Sequence, residues 1–126
     1  MRTIEKLASW VEAEPGSKQA RVRVLLQAQL DDGLFIVVLD DRGWSSSEEW
    51  AQVTPAGIRE TALVVVGPDE PAPGWTRAEE LHAYWQYIQS ILAAQQLHAS
   101  IDELMALDHE VQFGPRLQCL LTAAGH

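Results

Sequence analysis

Two apolar runs joined by an Asp-Asp-Gly turn dominate the hydrophobic pattern of residues 20–40. In the first run, the even-numbered residues from Val22 to Leu30 are apolar and alternate with mostly polar residues. This alternation is typical of a strand that buries one face. The second run, residues 34–39, is apolar throughout, as in a strand that is covered on both faces. The pattern therefore predicts a β-hairpin.

The turn of this hairpin is compatible with two strand registers. A two-residue loop suits Asp32-Gly33 and places Leu30 opposite Phe35. A three-residue loop places Leu30 opposite Leu34 instead. Both registers set apolar residues against apolar residues, so the hydrophobic pattern leaves both open.

The segment before the hairpin has the spacing of a short amphipathic helix. Residues 3–12 carry apolar side chains three or four positions apart, and Thr3 can act as the N-terminal cap. Pro15-Gly16 would end this helix. The apolar positions are Ile4, Leu7, Ala8 and Val11.

The middle of the chain predicts a turn followed by a third strand. Ser45 and Ser46 each stand three residues before a glutamate, which is the spacing of a capping box and indicates one helical turn. Residues 59–66 read RETALVVV, a β-branched run that favours a strand and is stopped by Gly67-Pro68. A connector rich in proline and glycine follows, over residues 68–75.

The last third of the chain contains three signals for the start of a helix. Thr76 and Glu79 form a capping box that opens a long helix reaching about position 98. Ser100 and Glu103 form another box, which opens a shorter helix. Pro115 suits the first position of a last helix over residues 115–124.

These elements predict one α+β domain over residues 1–126, divided into 1–67, the connector 68–75 and a helical region 76–126. The expected architecture is a three-stranded antiparallel sheet with an N-terminal helix and two or three C-terminal helices. A three-stranded sheet leaves edges exposed, and its second strand needs cover on both faces. The sequence therefore also predicts a homodimer.

Charge and composition limit the classes of partner. The formal net charge is −9, and residues 31–80 alone contain eleven acidic and three basic side chains. This charge argues against binding to nucleic acid or to anionic membranes. No apolar run is long enough to predict a membrane helix or a signal peptide, so we expect a cytoplasmic or stromal protein. Cys119 is the single cysteine, which excludes an internal disulfide and a cysteine-based zinc cluster.

Catalytic and metal-binding patterns are incomplete in this sequence. A serine nucleophile at Ser45, Ser46 or Ser47 would need a histidine and an acid within hydrogen-bond reach, and no G-x-S-x-G motif places it. Glu79 and His82 have the i, i+3 spacing of di-iron helices, but that site requires a second copy and two further glutamates. No cofactor is predicted.

Aromatic side chains give the strongest indication of a functional surface. Trp44 and Trp50 lie in an acidic, otherwise polar stretch. Tryptophans in such a stretch either pack over the core of their own domain or contact a binding partner. The sequence leaves both alternatives open. The candidate partner-binding residues are Trp44, Ser45, Ser46, Glu48, Glu49, Trp50, Trp75 and Tyr87.

Residues 7–66 resemble a small uncharacterised family of proteins from cyanobacteria and plastids. In that family a hairpin and an apolar run are followed by Gly-Phe-Ser-Ser-Ser, and here Gly43-Trp44-Ser45-Ser46-Ser47 follows residues 35–39. The resemblance implies a soluble accessory or assembly factor of photosynthetic cells. It implies no catalytic residue.

The expected function is therefore that of a non-catalytic adaptor or assembly factor. It would bind another protein through the acidic aromatic stretch and the low-charge C-terminal helices. The alternative is a small enzyme or small-molecule sensor. That protein would have a pocket between sheet and long helix, lined by Glu79, His82 and Tyr84.

Overall fold

The computed structural model describes residues 3–16, 19–123 and 125. It contains a four-stranded mixed sheet in the order β3-β2-β1-β4. The neighbours β1, β2 and β3 are antiparallel, whereas β4 runs parallel to β1. The strands are β1 (Ile4–Ala13), β2 (Gln19–Leu30), β3 (Phe35–Glu49) and β4 (His109–Phe113).

The described residues also form four α-helices and a 3₁₀ turn at Trp50–Gln52. Among these residues, no helix is both long and apolar enough to cross a membrane. The helices are α1 (Pro55–Val65), α2 (Arg77–Ala94), α3 (Ile101–Met105) and α4 (Pro115–Ala123).

The predicted hairpin is confirmed as β2 and β3, with a three-residue loop. Leu30 N–H donates to the Leu34 carbonyl at 2.8 Å. Gly33 has a φ of 86°, and Asp32 is not among the residues with positive φ. A two-residue type I′ turn needs positive φ at both central positions, so the backbone adopts the longer loop with Gly33 in the left-handed region. Further along, the register shifts by one residue between Gln27–Val37 and Leu26–Leu39.

The predicted three-stranded antiparallel sheet is wrong, in part because residues 3–12 form strand β1 rather than a helix. Along β1 the side chains of Leu7, Ser9, Val11 and Ala13 face the core. Ser9 places a polar residue in this inward row, while the large apolar Trp10 points to the opposite face. This inversion hides the two-residue period, and the remaining apolar positions imitate helical spacing.

The predicted strand over residues 59–66 is also wrong, because this segment belongs to helix α1. Thr54 Oγ1 accepts a hydrogen bond from Gly57 N–H, and Pro55 occupies the first helical position. Ile58 and Ala62, four residues apart, are buried on one face of the helix. The cap and the core contacts outweigh the weak strand preference of the valine run.

The predicted helical turn near Ser45 is replaced by strand β3, which continues to Glu49. Arg21 of β2 pairs with Ser45, and Val22 pairs with Trp44, so backbone pairing holds this segment extended. The fourth strand, β4, was not predicted, because five residues of mixed polarity carry no clear period.

The C-terminal helices agree with the prediction in their start positions. Both capping boxes, at Thr76 and at Ser100, are formed with their two reciprocal hydrogen bonds. The long helix ends at Ala94, earlier than expected, with Gln95 as its C-cap. The last helix begins at Pro115, and position 124 of its predicted range lies outside the described residues.

The helices pack on one face of the sheet, where their buried residues join the inward rows of β1 and β2 in a single hydrophobic core. We call the opposite face the open face, because its large side chains are half-buried or exposed, whereas Ala8 on the same face is buried. It mixes apolar, uncharged polar and charged residues, and the charges of both signs are nearly balanced. Its members include Lys6, Ala8, Trp10, Glu12, Arg21, Arg23, Leu25, Gln27, Gln29, Phe35, Val37, Glu110 and Gln112.

Candidate functional site

Strand β3 forms one edge of the sheet and pairs with β2 only, among the described strands. Its first residues belong to the apolar run of the hairpin, and three large side chains at this end are exposed to solvent, one just before the strand and two within it. Leu34 is 56%, Phe35 43% and Val37 46% exposed. An exposed apolar edge strand is a ready template for pairing with another chain.

Four aspartates flank this apolar run. Asp31 and Asp32 precede it, Asp40 and Asp41 follow it, and all four are exposed. Among the described residues, Arg42 forms an ion pair with one of these aspartates, its Nε lying 3.7 Å from Asp41 Oδ1. The start of β3 is therefore a short apolar edge with negative charge at each end.

The second half of β3 lines a groove together with the start of α1. The groove has a volume of about 480 Å³. Four predicted partner-binding residues, Trp44, Ser45, Ser46 and Glu48, lie along one side. The opposite side includes Thr54 and residues of the first turns of α1. The lining therefore mixes polar side chains with apolar ones, and Trp44 is its aromatic member.

The remaining predicted residues of this stretch point elsewhere. Glu49 is exposed and pairs with Gln19 at the end of β2. Trp50 is only 8% exposed and belongs to the hydrophobic core. Its indole Nε1 has no hydrogen-bond partner among the described residues. The two tryptophans of the acidic stretch thus have different environments, since Trp44 is half-buried and borders the groove.

Trp75 and Tyr87 lie apart from β3. Trp75 is in the connector before α2 and is 49% exposed, while Tyr87 lies on α2 and is 56% exposed. Neither residue lines the groove of Trp44. The structure therefore separates the eight predicted partner-binding residues into a β3 group and an α2 group.

The residues of the alternative pocket do not converge. Glu79 accepts a hydrogen bond from Thr76 N–H in the capping box, and His82 is exposed one turn further along α2. Tyr84 is buried, and its hydroxyl donates to the Val66 carbonyl. Burial raises the pKa of Tyr84 to about 12, so the phenol remains protonated at neutral pH. The three side chains therefore lie in a helix cap, on the surface and in the core, and they do not line one pocket.

A serine–histidine pair joins β1 to β4. Ser9 Oγ lies 2.6 Å from His109 Nε2, although the two residues are 100 positions apart in sequence. Ser9 is fully buried, at 0% exposure, so a substrate cannot reach its hydroxyl. A buried hydroxyl needs a hydrogen-bond partner, and His109 supplies it. Sequence reasoning missed this pair because neither residue belongs to a recognisable motif.

Acidification is expected to destabilise the protein through His109. Partial burial of the ring lowers the pKa of His109 in the folded chain below its ordinary value of about 6.5. The unfolded chain then binds the proton more tightly. The free energy of unfolding should therefore fall as the pH drops through 6.5 and level off below the lowered folded pKa. Urea titrations at a series of pH values measure this slope, and His109→Gln should reduce it.

The matched control for this experiment is His82→Gln, which also removes one histidine, from an exposed position on α2. An NMR titration of the His109 ring protons reports its pKa in the folded protein directly. A midpoint at or above 6.5 for His109 would contradict the expectation.

The open face carries an ion pair beside its apolar side chains. Lys6 Nζ lies 2.5 Å from Glu110 Oε2. This hydrogen-bonded pairing raises the pKa of Lys6 and lowers the pKa of Glu110. Both side chains are substantially exposed, so the pair contributes little to stability and leaves that part of the face nearly neutral.

In the part of the chain that the structure describes, no three histidine, cysteine or acidic side chains are grouped so as to hold a metal ion. Comparisons of the chain with family models, with curated proteins and with solved structures gave no match.

Proposed function

We propose that this chain is a non-catalytic protein-binding protein, an adaptor or an assembly factor, and that β3 provides its contact surface. We call this surface the β3 surface. It comprises the exposed apolar residues Leu34, Phe35 and Val37 and the adjoining groove lined by Trp44, Ser45, Ser46 and Glu48.

The exposure of three large apolar side chains at the start of an edge strand is the observation that carries this proposal. Single exposed apolar residues are common on protein surfaces, but a cluster beside an unpaired strand edge is costly unless a partner covers it. The sequence pattern of β3 agrees with this requirement, because an uninterrupted apolar run is typical of a strand with cover on both faces.

The positions of the candidate catalytic residues support binding over catalysis. Tyr84 and Ser9 are buried in structural hydrogen bonds, and Glu79 caps a helix. An enzyme site needs a nucleophile or base that a substrate can reach, with its partners assembled around it. The groove beside Trp44 has a mixed polar and apolar lining with one aromatic side chain, a composition that suits contact with a segment of a protein surface.

Self-association is the second part of the proposal. Two copies can pack their open faces against each other as aligned sheets, which would bury Trp10, Leu25, Phe35 and Val37. The nearly neutral centre of this face avoids the repulsion that a net charge of −9 per chain imposes elsewhere. Sedimentation of the purified chain over a range of concentrations measures this equilibrium.

Capture from an extract of the source organism tests the binding function. The double variant Phe35→Ser/Val37→Ser removes the exposed apolar side chains of β3. Its matched control is Leu63→Ser/Val64→Ser, which removes two exposed apolar side chains from α1. We expect the wild type and the control to retain the same proteins, identified by mass spectrometry, and the β3 variant to lose them about tenfold or more. Equal retention by all three proteins would contradict the proposal.

A further inference from the structure

We propose that the outer edge of β3, at residues 34–39, binds an extended segment of a partner protein that is apolar in its centre and basic at both ends. This inference rests on the proposed protein-binding function and specifies the chemistry of the partner. The segment would add a fifth strand to the sheet.

The backbone of β3 presents unpaired groups at this edge. Leu30 N–H donates to the Leu34 carbonyl, and Ala28 pairs with Ile36 two residues further on. In an antiparallel ladder, hydrogen-bonded pairs alternate with pairs that direct their groups away from each other. Phe35 and Val37 therefore point their N–H and C=O groups outward, which offers two donors and two acceptors to an added strand.

The side chains at the same positions favour an apolar centre in the partner segment. Phe35 and Val37 stand on the open face at 43% and 46% exposure, two residues apart. An added strand would place one side chain beside each of them. Aromatic and β-branched neighbours across a strand pair stabilise a sheet, so valine, isoleucine or an aromatic residue suits these positions.

The flanking charges favour basic residues at the ends of the partner segment. Asp31 and Asp32 lie before the apolar run, and Asp40 and Asp41 lie after it. Asp31 and Asp32 each accept a hydrogen bond from a backbone N–H group. Because such a donor is uncharged, it does not neutralise the carboxylate. Seven residues separate Asp32 from Asp40, so a segment of about nine residues, at roughly 3.3 Å per residue, places its two ends beside the two aspartate pairs.

The same charges disfavour a second copy of this chain at the edge. Antiparallel pairing of two copies that matches the outward groups sets Phe35 opposite Val37 of the partner subunit. Asp32 then lies opposite Asp40 of the partner subunit at each end of the seam. Like charges directly opposite each other destabilise a strand pair, whereas lysine or arginine at these places would be attracted.

A designed peptide tests this proposal directly. The probe is the capped nonapeptide Lys-Lys-Val-Thr-Val-Thr-Val-Lys-Lys with a fluorescent label, and the control probe has glutamate in place of every lysine. We expect fluorescence anisotropy to show saturable binding of the lysine peptide to the full chain. The glutamate peptide should bind at least about tenfold more weakly, and added salt should weaken the binding of the lysine peptide.

Two variants of one residue separate backbone pairing from side-chain packing. Val37→Pro removes the outward N–H at an edge position where proline can be accommodated, and Val37→Ala removes the side chain but keeps the N–H. We expect Val37→Pro to weaken peptide binding about tenfold and Val37→Ala to weaken it by less than about threefold. The double variant Asp40→Asn/Asp41→Asn should bind the lysine peptide more weakly than the wild type does. It should bind the glutamate peptide at least as well as the wild type does.

Hydrogen exchange provides a measurement that does not depend on the folding of the proline variant. The Phe35 and Val37 amides of the wild type should exchange more slowly when the lysine peptide is bound. Three results would overturn the proposal. These are no binding of the lysine peptide to the wild type, equal loss of binding in Val37→Pro and Val37→Ala, or equal binding of the lysine and glutamate peptides to the wild type.

The capture experiment tests the proposed function separately from the peptide experiment. If Phe35→Ser/Val37→Ser still loses captured proteins but the peptide result is negative, the partner packs on the open face or the groove. If that variant captures the same proteins as the wild type, the β3 surface itself is not the contact surface.

Discussion

Replacing Trp50 with alanine is expected to lower the free energy of unfolding by about 3–5 kcal/mol. The Trp50 side chain is 8% exposed and packs in the core that the helices share with the sheet. Its removal leaves a large cavity at the end of β3, where the 3₁₀ turn contacts α4. Because domains of this size are only marginally stable, this loss would unfold a substantial fraction of the protein. Urea denaturation followed by circular dichroism measures the change.

The matched control is Trp75→Ala, the same chemical change at a tryptophan that is 49% exposed. We expect this control to change the free energy of unfolding by less than about 1 kcal/mol. Trp50→Phe should cost much less than Trp50→Ala, because it retains most of the apolar volume and removes an indole N–H that has no partner. Equal losses for Trp50→Ala and Trp75→Ala would show that Trp50 is not a core residue.

Replacing Glu12 with alanine is expected to lower the free energy of unfolding by about 2 kcal/mol. Glu12 lies on β1, and its carboxylate caps the first turn of α4, more than 100 residues away. Oε1 accepts a hydrogen bond of 2.7 Å from Leu117 N–H, and Oε2 accepts one of 3.3 Å from Arg116 N–H. The negative charge at this position also interacts favourably with the N-terminal end of the helix dipole.

Two further substitutions show whether the cap is the cause of this loss. Glu14→Ala removes a carboxylate two residues along the chain and should have a small effect. Gly114→Ala should be destabilising, because a Cβ at this position would overlap the Glu12 carboxylate. Hydrogen exchange at Leu117 should accelerate in Glu12→Ala. If this amide keeps its protection, α4 does not depend on the cap.

Local hydrogen bonds made the helix starts of the last third predictable. Thr76 with Glu79 and Ser100 with Glu103 each lie within one turn, so four residues of sequence contain the complete cap. The hairpin was predictable for the same reason, since its strands are joined by three residues. Its register required the structure, because the left-handed conformation of Gly33 without a positive φ at Asp32 selects the longer loop.

The sequence anticipated part of the proposed β3 surface. Trp44, Ser45, Ser46 and Glu48 do lie together along one groove. The exposed positions of Phe35 and Val37 were not anticipated as a contact surface, although the uninterrupted apolar run was the available signal. Whether such a run is covered depends on which strand becomes the edge of the sheet, and strand order is not a local property.

By itself, the sequence determined the hairpin, the capped helices α2 and α3 and the proline start of α4, because their stabilising contacts lie between residues close in the chain. The tertiary structure decided that residues 3–12 form a strand, since a buried Ser9 requires His109 from the opposite end of the chain. It also placed β4 beside β1 and left β3 at the edge of the sheet. These outcomes depend on pairing between distant segments, which no local period or cap encodes.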